Sequence, residues 1–453
     1  MGVIGDELQS SKKAMSDVFT NRAMRKVFSA FGGSLIGDGV FALSALVFAY
    51  RNGGPTAVGG LAVARYMAIA STAPFTSTLA DRYDRRFVMV ASDLVRLVLV
   101  SAAAVLAGLH ASKWYVFLLV VLVGIAGTAF RPAQASIIPL LARTHDEVAG
   151  ANVVSSTIES VGFFAGPALA GFLIAFANVP LAFAFDALTF VWSALFIVSV
   201  RYPTDRSPDL DAIGSSSATR DEVKAESFLS RAAQGFRVIL GNHDVTTLVT
   251  LYILQCVVAG ASAVFTVAIA LQMLHIGTSG LGLMESTIGI GGLLGGFIAL
   301  MLVEPARLAT NFGFAVMIWA APLILIAALP SLASAFIAMW LIGAANSLVD
   351  VNAITVLQHV VPNEKLGRVL GALEAGEVAG MALGSLAMTV LIQVTGLRVG
   401  LALIGGFVTM AVLPGLPTMR RIDREVFAEG LTHRPKSAHG HLHFHNFRLR
   451  HTR

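Results

Sequence analysis

Several acids and bases lie inside long apolar runs, where an isolated charge is costly and an ionisable side chain marks a task. Asp38 stands eleven residues into the first run, roughly 16 Å deep at 1.5 Å per residue, and Arg65 stands roughly 22 Å from the same end in the second. Their depths differ by about one helical turn, so a buried Asp38–Arg65 pair is expected. The fifth run carries Asn152, Ser155, Ser156, Glu159, Gly162 and Gly166, whose steps of three and four place them on one helix face. The eleventh repeats the pattern with Gly367, Gly371, Glu374, Glu377, Gly380 and Gly384. Glu374 and Glu377 are neighbours on that face, and two close carboxylates in a low dielectric oppose each other's ionisation. Asp38, Glu159, Glu374 and Glu377 are therefore the candidates for taking up and releasing a proton. The same residues would equally serve as static ion pairs or hydrogen bonds. Asp93 and Arg96, three apart, read as a local pair, Asp186 as structural, and Glu285 as an acid near an end of its run that reaches water.

The elements that must position these groups are membrane helices. Of 453 residues, 56% are hydrophobic and 13% charged, and the mean hydropathy is +0.75. Soluble domains carry about 25% charged residues, so this chain cannot cover a water-facing surface. Twelve apolar stretches near the ~20 residues that cross a bilayer occupy 27–49, 57–79, 87–109, 114–137, 148–175, 179–200, 245–273, 282–303, 310–329, 332–358, 367–393 and 397–417. They lack the alternation of a barrel strand, which predicts helices. Of 32 Lys and Arg, 27 fall in segments on one side of this threading and 3 (Arg51, Lys113, Arg398) on the other, with Arg65 and Arg96 inside spans. That asymmetry predicts cytoplasmic termini and a cytoplasmic central loop.

The organisation expected is a cytoplasmic segment 1–26, a six-helix bundle 27–200, a polar loop 201–244, a second bundle 245–417 and a His-rich, disordered tail 418–453. The bundles match weakly. Asn21–Arg22 through Gly39 aligns with Asn242–His243 through Gly260 at an offset of 221, and Asp146, Glu159, Gly162 and Gly166 align with Glu364, Glu377, Gly380 and Gly384 at 218. Parallel duplicated units are the pattern of secondary transporters, which bind substrate between the halves.

The loop after the second span reads Ser77-Thr-Leu-Ala-Asp81-Arg82-Tyr-Asp84-Arg85-Arg86. It resembles the Gly-x-x-x-Asp-Arg-x-Gly-Arg-Arg signature of the major facilitator superfamily, with Ser77 and Asp84 at the glycine positions. The resemblance implies that Asp81, Arg82, Arg85 and Arg86 latch the two halves. It also implies that spans 1, 4, 7 and 10 line a central cavity, which would place Asp38, Arg131 and Asp350 against substrate. Arg131 could alternatively extend to the membrane surface. Gly162, Gly166, Pro167 and Gly171 resemble the span-5 Gly-Pro signature of the superfamily's antiporters. Pro bends the helix and Gly admits a close neighbour, for which Gly289, Gly291, Gly292, Gly295 and Gly296 of span 8 are suited. Asn21-Arg22, Gly37-Asp38, Phe130-Arg-Pro132-Ala133, Ile138-Pro139 and Ala151-Asn152 are similar to the macrolide-efflux and enterobactin-exporter branch.

The expected protein is thus an all-α, twelve-span transporter of a bacterial cytoplasmic membrane, exporting an amphipathic small molecule or drug against protons. Its partners would be the bilayer, a small-molecule substrate and protons, with no nucleic acid, and it reads as a monomer. Export of a single metabolite such as a siderophore or lipid is one alternative, and a non-transporting receptor or scaffold another. No Gly-x-x-x-x-Gly-Lys-Ser/Thr loop and no nucleophile–base set is present, so neither a cofactor nor enzymatic chemistry is expected. The run His439, His441, His443, His445 offers imidazoles for casual metal binding rather than a built site. The one cysteine, Cys256, excludes an intrachain disulfide.

Overall fold

The structure is a computed structural model that describes residues 18–200, 228–301 and 307–432, and these are helical with no strand among them. The His439–His445 run lies outside the described residues. Helix α1 spans Arg22–Arg82 and holds the first two expected spans, folded back on each other at Gly53 and Gly54. Gly54 has φ +62°, a conformation that a side chain disfavours, so the hairpin depends on glycine there. Then follow α2 (Arg85–Gly108), α3 (Lys113–Gly127), α4 (Phe130–Leu141), α5 (His145–Phe176) and α6 (Val179–Val198). Thr128 and Ala129 separate α3 from α4, and Pro132 falls in the first turn of α4, where a missing N–H costs nothing.

The second half begins earlier than its apolar pattern suggests. Residues 228–240 of the expected polar loop form α7 (Phe228–Leu240), where Gly235 lies against Arg368 and Ala372. α8 (His243–Ala268) runs into a π-turn, Ile269–Met273, followed by α9 (Gly277–Met301), α10 (Leu308–Ala320), α11 (Pro322–Ala328), α12 (Leu332–Val360), α13 (Asn363–Thr395) and α14 (Leu397–Val412). The start of the expected disordered tail is instead α15 (Leu416–Thr432). It is held because Asp423 accepts hydrogen bonds from Ala309 N (2.7 Å), Thr310 N (3.0 Å) and Thr310 Oγ1 (2.5 Å), which satisfies the free N-terminal donors of α10. Ten stretches among the described residues are long and apolar enough to cross a membrane, the first of them, Arg22–Thr72, taking in the hairpin. Large apolar side chains such as Val98, Leu188, Leu195 and Phe407 are more than half exposed, as a lipid-facing surface requires.

The repeat is visible in local chemistry. Asn21 Oδ1 accepts from Ala23 N and Met24 N, and its counterpart Asn242 accepts from Asp244 N and Val245 N, so both cap the helix that opens a half. It is also visible in packing. Between the halves, α5 packs on α9, and α1 packs on α13 and α8. The α1 residues that meet α13 belong to its second arm, through Gly59 against Thr389 and Thr56 against Gln393. Exchanging the repeats turns the α5–α9 contact into this one, which is the pattern of a two-fold arrangement.

Candidate substrate cavity

Two adjoining spaces of about 500 Å³ each lie between the halves. They share Tyr66, Glu159, Phe163, Ser262 and Glu285 in their walls, and so form one continuous region. Inter-half packing is tight at one end of the bundle. There Gln393 Nε2 donates to Thr56 Oγ1 (2.6 Å), and a Cβ on Gly171 would come within 2.9 Å of Gly282 Cα. Toward the opposite end, which carries the basic segments, a Cβ on Gly296 of α9 or on Gly367 and Gly371 of α13 would meet nothing within 4 Å. The close contacts between the halves thus lie at the Gly53–Gly54 end.

Asp38 lies in the wall, flanked by two glycines that let neighbours close in. Gly37 faces Thr189 and Asp186 of α6, and a Cβ on Gly39 would meet Gly166 Cα at 3.0 Å. Asp38 accepts from Arg96 Nη1 at 3.3 Å through both carboxylate oxygens, while Arg96 Nη2 donates to Asp93 at 2.6 Å. The Arg96 guanidinium stacks 4.3 Å from the centroid of Phe190 and 5.0 Å from that of Phe130. Asp186 is fully buried beside this group and hydrogen-bonded by Thr189. The partner of Asp38 is therefore Arg96 and not Arg65. Arg65 lies against α3, where a Cβ on Gly124 would be 3.4 Å from its Cγ. Depth along a helix was enough to make Asp38–Arg65 feasible, but the face each side chain occupies decides the pair.

Arg131 and Glu159 meet across α4 and α5, Nη2 to Oε1 2.6 Å, both lining the cavity with their side chains about half exposed. Asp350 stands one turn from the wall. It accepts from Asn346 Nδ2 (3.1 Å), and Asn346 Oδ1 in turn accepts from Gln255 Nε2 (3.1 Å) and Trp319 Nε1 (3.2 Å). Asn346, not Asp350, lines the space. Glu377 is half-buried and Glu374 is exposed, with neither in the wall of the two spaces.

One charged wall residue, Glu285, is not among the site candidates of the sequence, and a second, Arg65, is expected there only as the partner of Asp38. Glu285, expected near an end of its span, lines both spaces. Arg65 lines the first, its Nε buried without a hydrogen-bond partner. The signal was available, because Arg65 and Glu285 are 220 residues apart, close to the repeat offset.

Of the signature residues, Asp84 caps α2 by accepting from Phe87 N (3.0 Å), at φ −56°, where glycine is not needed. Arg86 donates to the Val198 carbonyl at the end of α6, a contact inside the first half. The side chains of Asp81 and Arg82 lie outside the described residues, and Arg85 Nε is buried without a partner. In α5 the Gly-Pro residues divide their work. Cβ atoms on Gly162 and Gly166 would meet Leu35 (2.7 Å) and Gly39 Cα (2.8 Å) of α1, whereas Gly171 and the Pro167 carbonyl meet Gly282 of α9. Among the span-8 glycines, Gly289 packs on Phe164 of α5, but Gly291 and Gly295 face α12.

A family model described as "Major Facilitator Superfamily" matches residues 27–304. The chain belongs to that superfamily. It is a multi-pass membrane transporter rather than an enzyme. A relative named macrolide efflux protein A, from Enterococcus faecalis, is 26% identical over 161 residues, which is 35% of this chain and 50% of that protein. A Bacillus subtilis (strain 168) protein named "Putative bacilysin exporter BacE" is 24% identical over 323 residues, 70% of this chain and 76% of that one. The fold is shared with a POT family transporter solved in complex with 5-aminolevulinic acid, at TM-score 0.69 and 14% identity over 88% of this chain and 96% of that one.

Proposed function

We propose that this transporter exports an amphipathic small molecule from a bacterial cell in exchange for protons. In this reading the chain crosses the cytoplasmic membrane twelve times, and residues 27–200 rock against 245–417. The basic end is cytoplasmic by the distribution of Lys and Arg, so the close contacts between the halves lie toward the outer face and the cavity is read as loading from the cytoplasm. The observation that carries the reading is this cavity between the halves with Asp38 and Glu159 in its wall, each held by a single arginine contact. A carboxylate that exchanges its arginine for a proton can report substrate arrival or departure electrostatically. Asp38 and Glu159 are assigned this role ahead of Glu374 and Glu377, which lie outside the wall. The two named relatives, an efflux protein and an exporter, favour outward transport.

The test uses inverted vesicles holding a respiration-driven, inside-acid pH gradient and a panel of antibiotics, cationic dyes and siderophores. One compound should collapse the gradient, and Glu159→Gln or Asp38→Asn should abolish the collapse. A panel member that binds the purified protein but moves no protons would replace antiport with uniport or a receptor. Export of one dedicated metabolite is the second reading, favoured by the several fixed charges in the wall.

A further inference from the structure

The charges in the cavity wall do not all have partners. Asp38 is engaged by Arg96, and Arg131 is engaged by Glu159. Arg65 and Glu285 remain. Among the described residues neither forms an ion pair, with each other or with any other group. Arg65 projects from the second arm of α1, its stem against Gly124 and its Nε buried without an acceptor. Glu285 projects from α9, in the other half. Arg65, Tyr66 and Glu285 line the same space. Around them the wall is largely apolar, with Leu35, Ala42, Leu46 and Phe163.

We infer that the transported molecule is a small amphipathic zwitterion, its anionic group held by Arg65 and its cationic group by Glu285. The inference rests on the reading of this cavity as the substrate site. Once a bound molecule displaces water against this largely apolar wall, an unpaired charge is costly and a paired one with good geometry is not. A neutral amphiphile would leave both residues unpaired on binding. A lipophilic cation would serve Glu285 and strand Arg65. A molecule with one charge of each sign and an apolar body serves both, and a space of about 500 Å³ suits a compact molecule of this kind. Because the two residues belong to opposite halves, such a ligand also ties the halves together, so occupancy and closure become one event.

The experiment is equilibrium binding to the purified full-length protein in lipid nanodiscs. The probes are phenylalanine, Ala-Phe and Phe-Leu, each beside its N-acetyl and its C-terminal amide derivative, with ethidium and erythromycin for comparison. At least one zwitterion should bind at least about tenfold more tightly than either of its singly charged derivatives, as the loss of a charge-assisted hydrogen bond implies. Arg65→Gln should weaken the zwitterion to the level of its amide while leaving the amide unchanged. Glu285→Gln should weaken it to the level of its N-acetyl form and leave that form unchanged. The unchanged derivative in each variant shows that the fold persists. Tighter binding of ethidium or erythromycin, no zwitterion binding at millimolar concentration, or variants that lower all affinities equally would each overturn the assignment. No gradient is involved, so a failure of proton coupling in vesicles leaves this result standing, and the reverse also holds.

Discussion

Two arginines of the first half hold acids in opposite circumstances. Arg96 is nearly inaccessible and serves Asp93 and Asp38 beside the fully buried Asp186, while Arg131 and Glu159 face open space. Removing one member of a buried set leaves charge without compensation, typically at about 3–5 kcal/mol, whereas exposed pairs contribute about 0–1 kcal/mol. Arg96→Leu is therefore expected to lower the thermal unfolding midpoint in detergent sharply or prevent accumulation of folded protein. Arg131→Gln should leave the midpoint within a few degrees and act on transport instead. Thermal unfolding of both variants checks the contrast, and equal midpoints would refute it. The acids themselves were legible, since Asp38 and Glu159 stand out in apolar runs and Asp93 and Arg96 are spaced as a pair. Their cross-helix partners were not, because sequence gives depth along a helix but not the rotation that turns Asp38 toward Arg96 and Arg65 toward Gly124.

Apolar runs reveal membrane helices well and amphipathic ones poorly. Among the described residues the expected spans fall on helices, ten stretches of which are long and apolar enough to cross a membrane, yet α7 and α15 lie in segments expected to be polar loop and tail. The apolar residues at 229, 232, 236 and 239 do recur at helical spacing within the loop, and that period was the missed signal. For α15 the deciding feature is a distant contact: Asp423 is 6% exposed because it caps α10. Asp423→Ala should cost about 0.5–2 kcal/mol and make residues near 418 accessible to limited proteolysis, while Asp423→Asn, which still accepts, should lose less. Glycine positions give a second contrast within one helix. A Cβ on Gly282 would come 2.6 Å from the Pro167 carbonyl, whereas one on Gly296 meets nothing. Gly282→Ala should open the seal between α5 and α9, raising maleimide labelling, in a Cys256→Ser background, of a cysteine placed at Ser262 in the cavity wall. Gly296→Ala should leave labelling unchanged and stabilise by about 0.5–1 kcal/mol through helix propensity.

The two halves repeat each other in sequence, in their helix caps and in the way they meet, and the repeat was readable from near-equal offsets. Which end of the bundle holds the close contacts was not, since both closed and open arrangements satisfy the same apolar pattern. Thr56 and Gln393 touch at the Gly53–Gly54 end from opposite halves. A disulfide between Thr56→Cys and Gln393→Cys, in a Cys256→Ser background, should trap the form closed at that end and stop transport, with reduction restoring it. Transport that persists with the bond formed would argue against rocking. The seal at α5 and α9 has a further consequence. It is made where Gly171, Gly282 and Gly289 bring backbone against backbone, so it removes little apolar side-chain area from water. Parting such a seam exposes little apolar side chain, so the hydrophobic effect does little to favour the closed arrangement over the open one. Against so small a bias the about 1–3 kcal/mol typical of coupling between sites counts for more, which brings the binding of one small solute within reach of turning the whole machine.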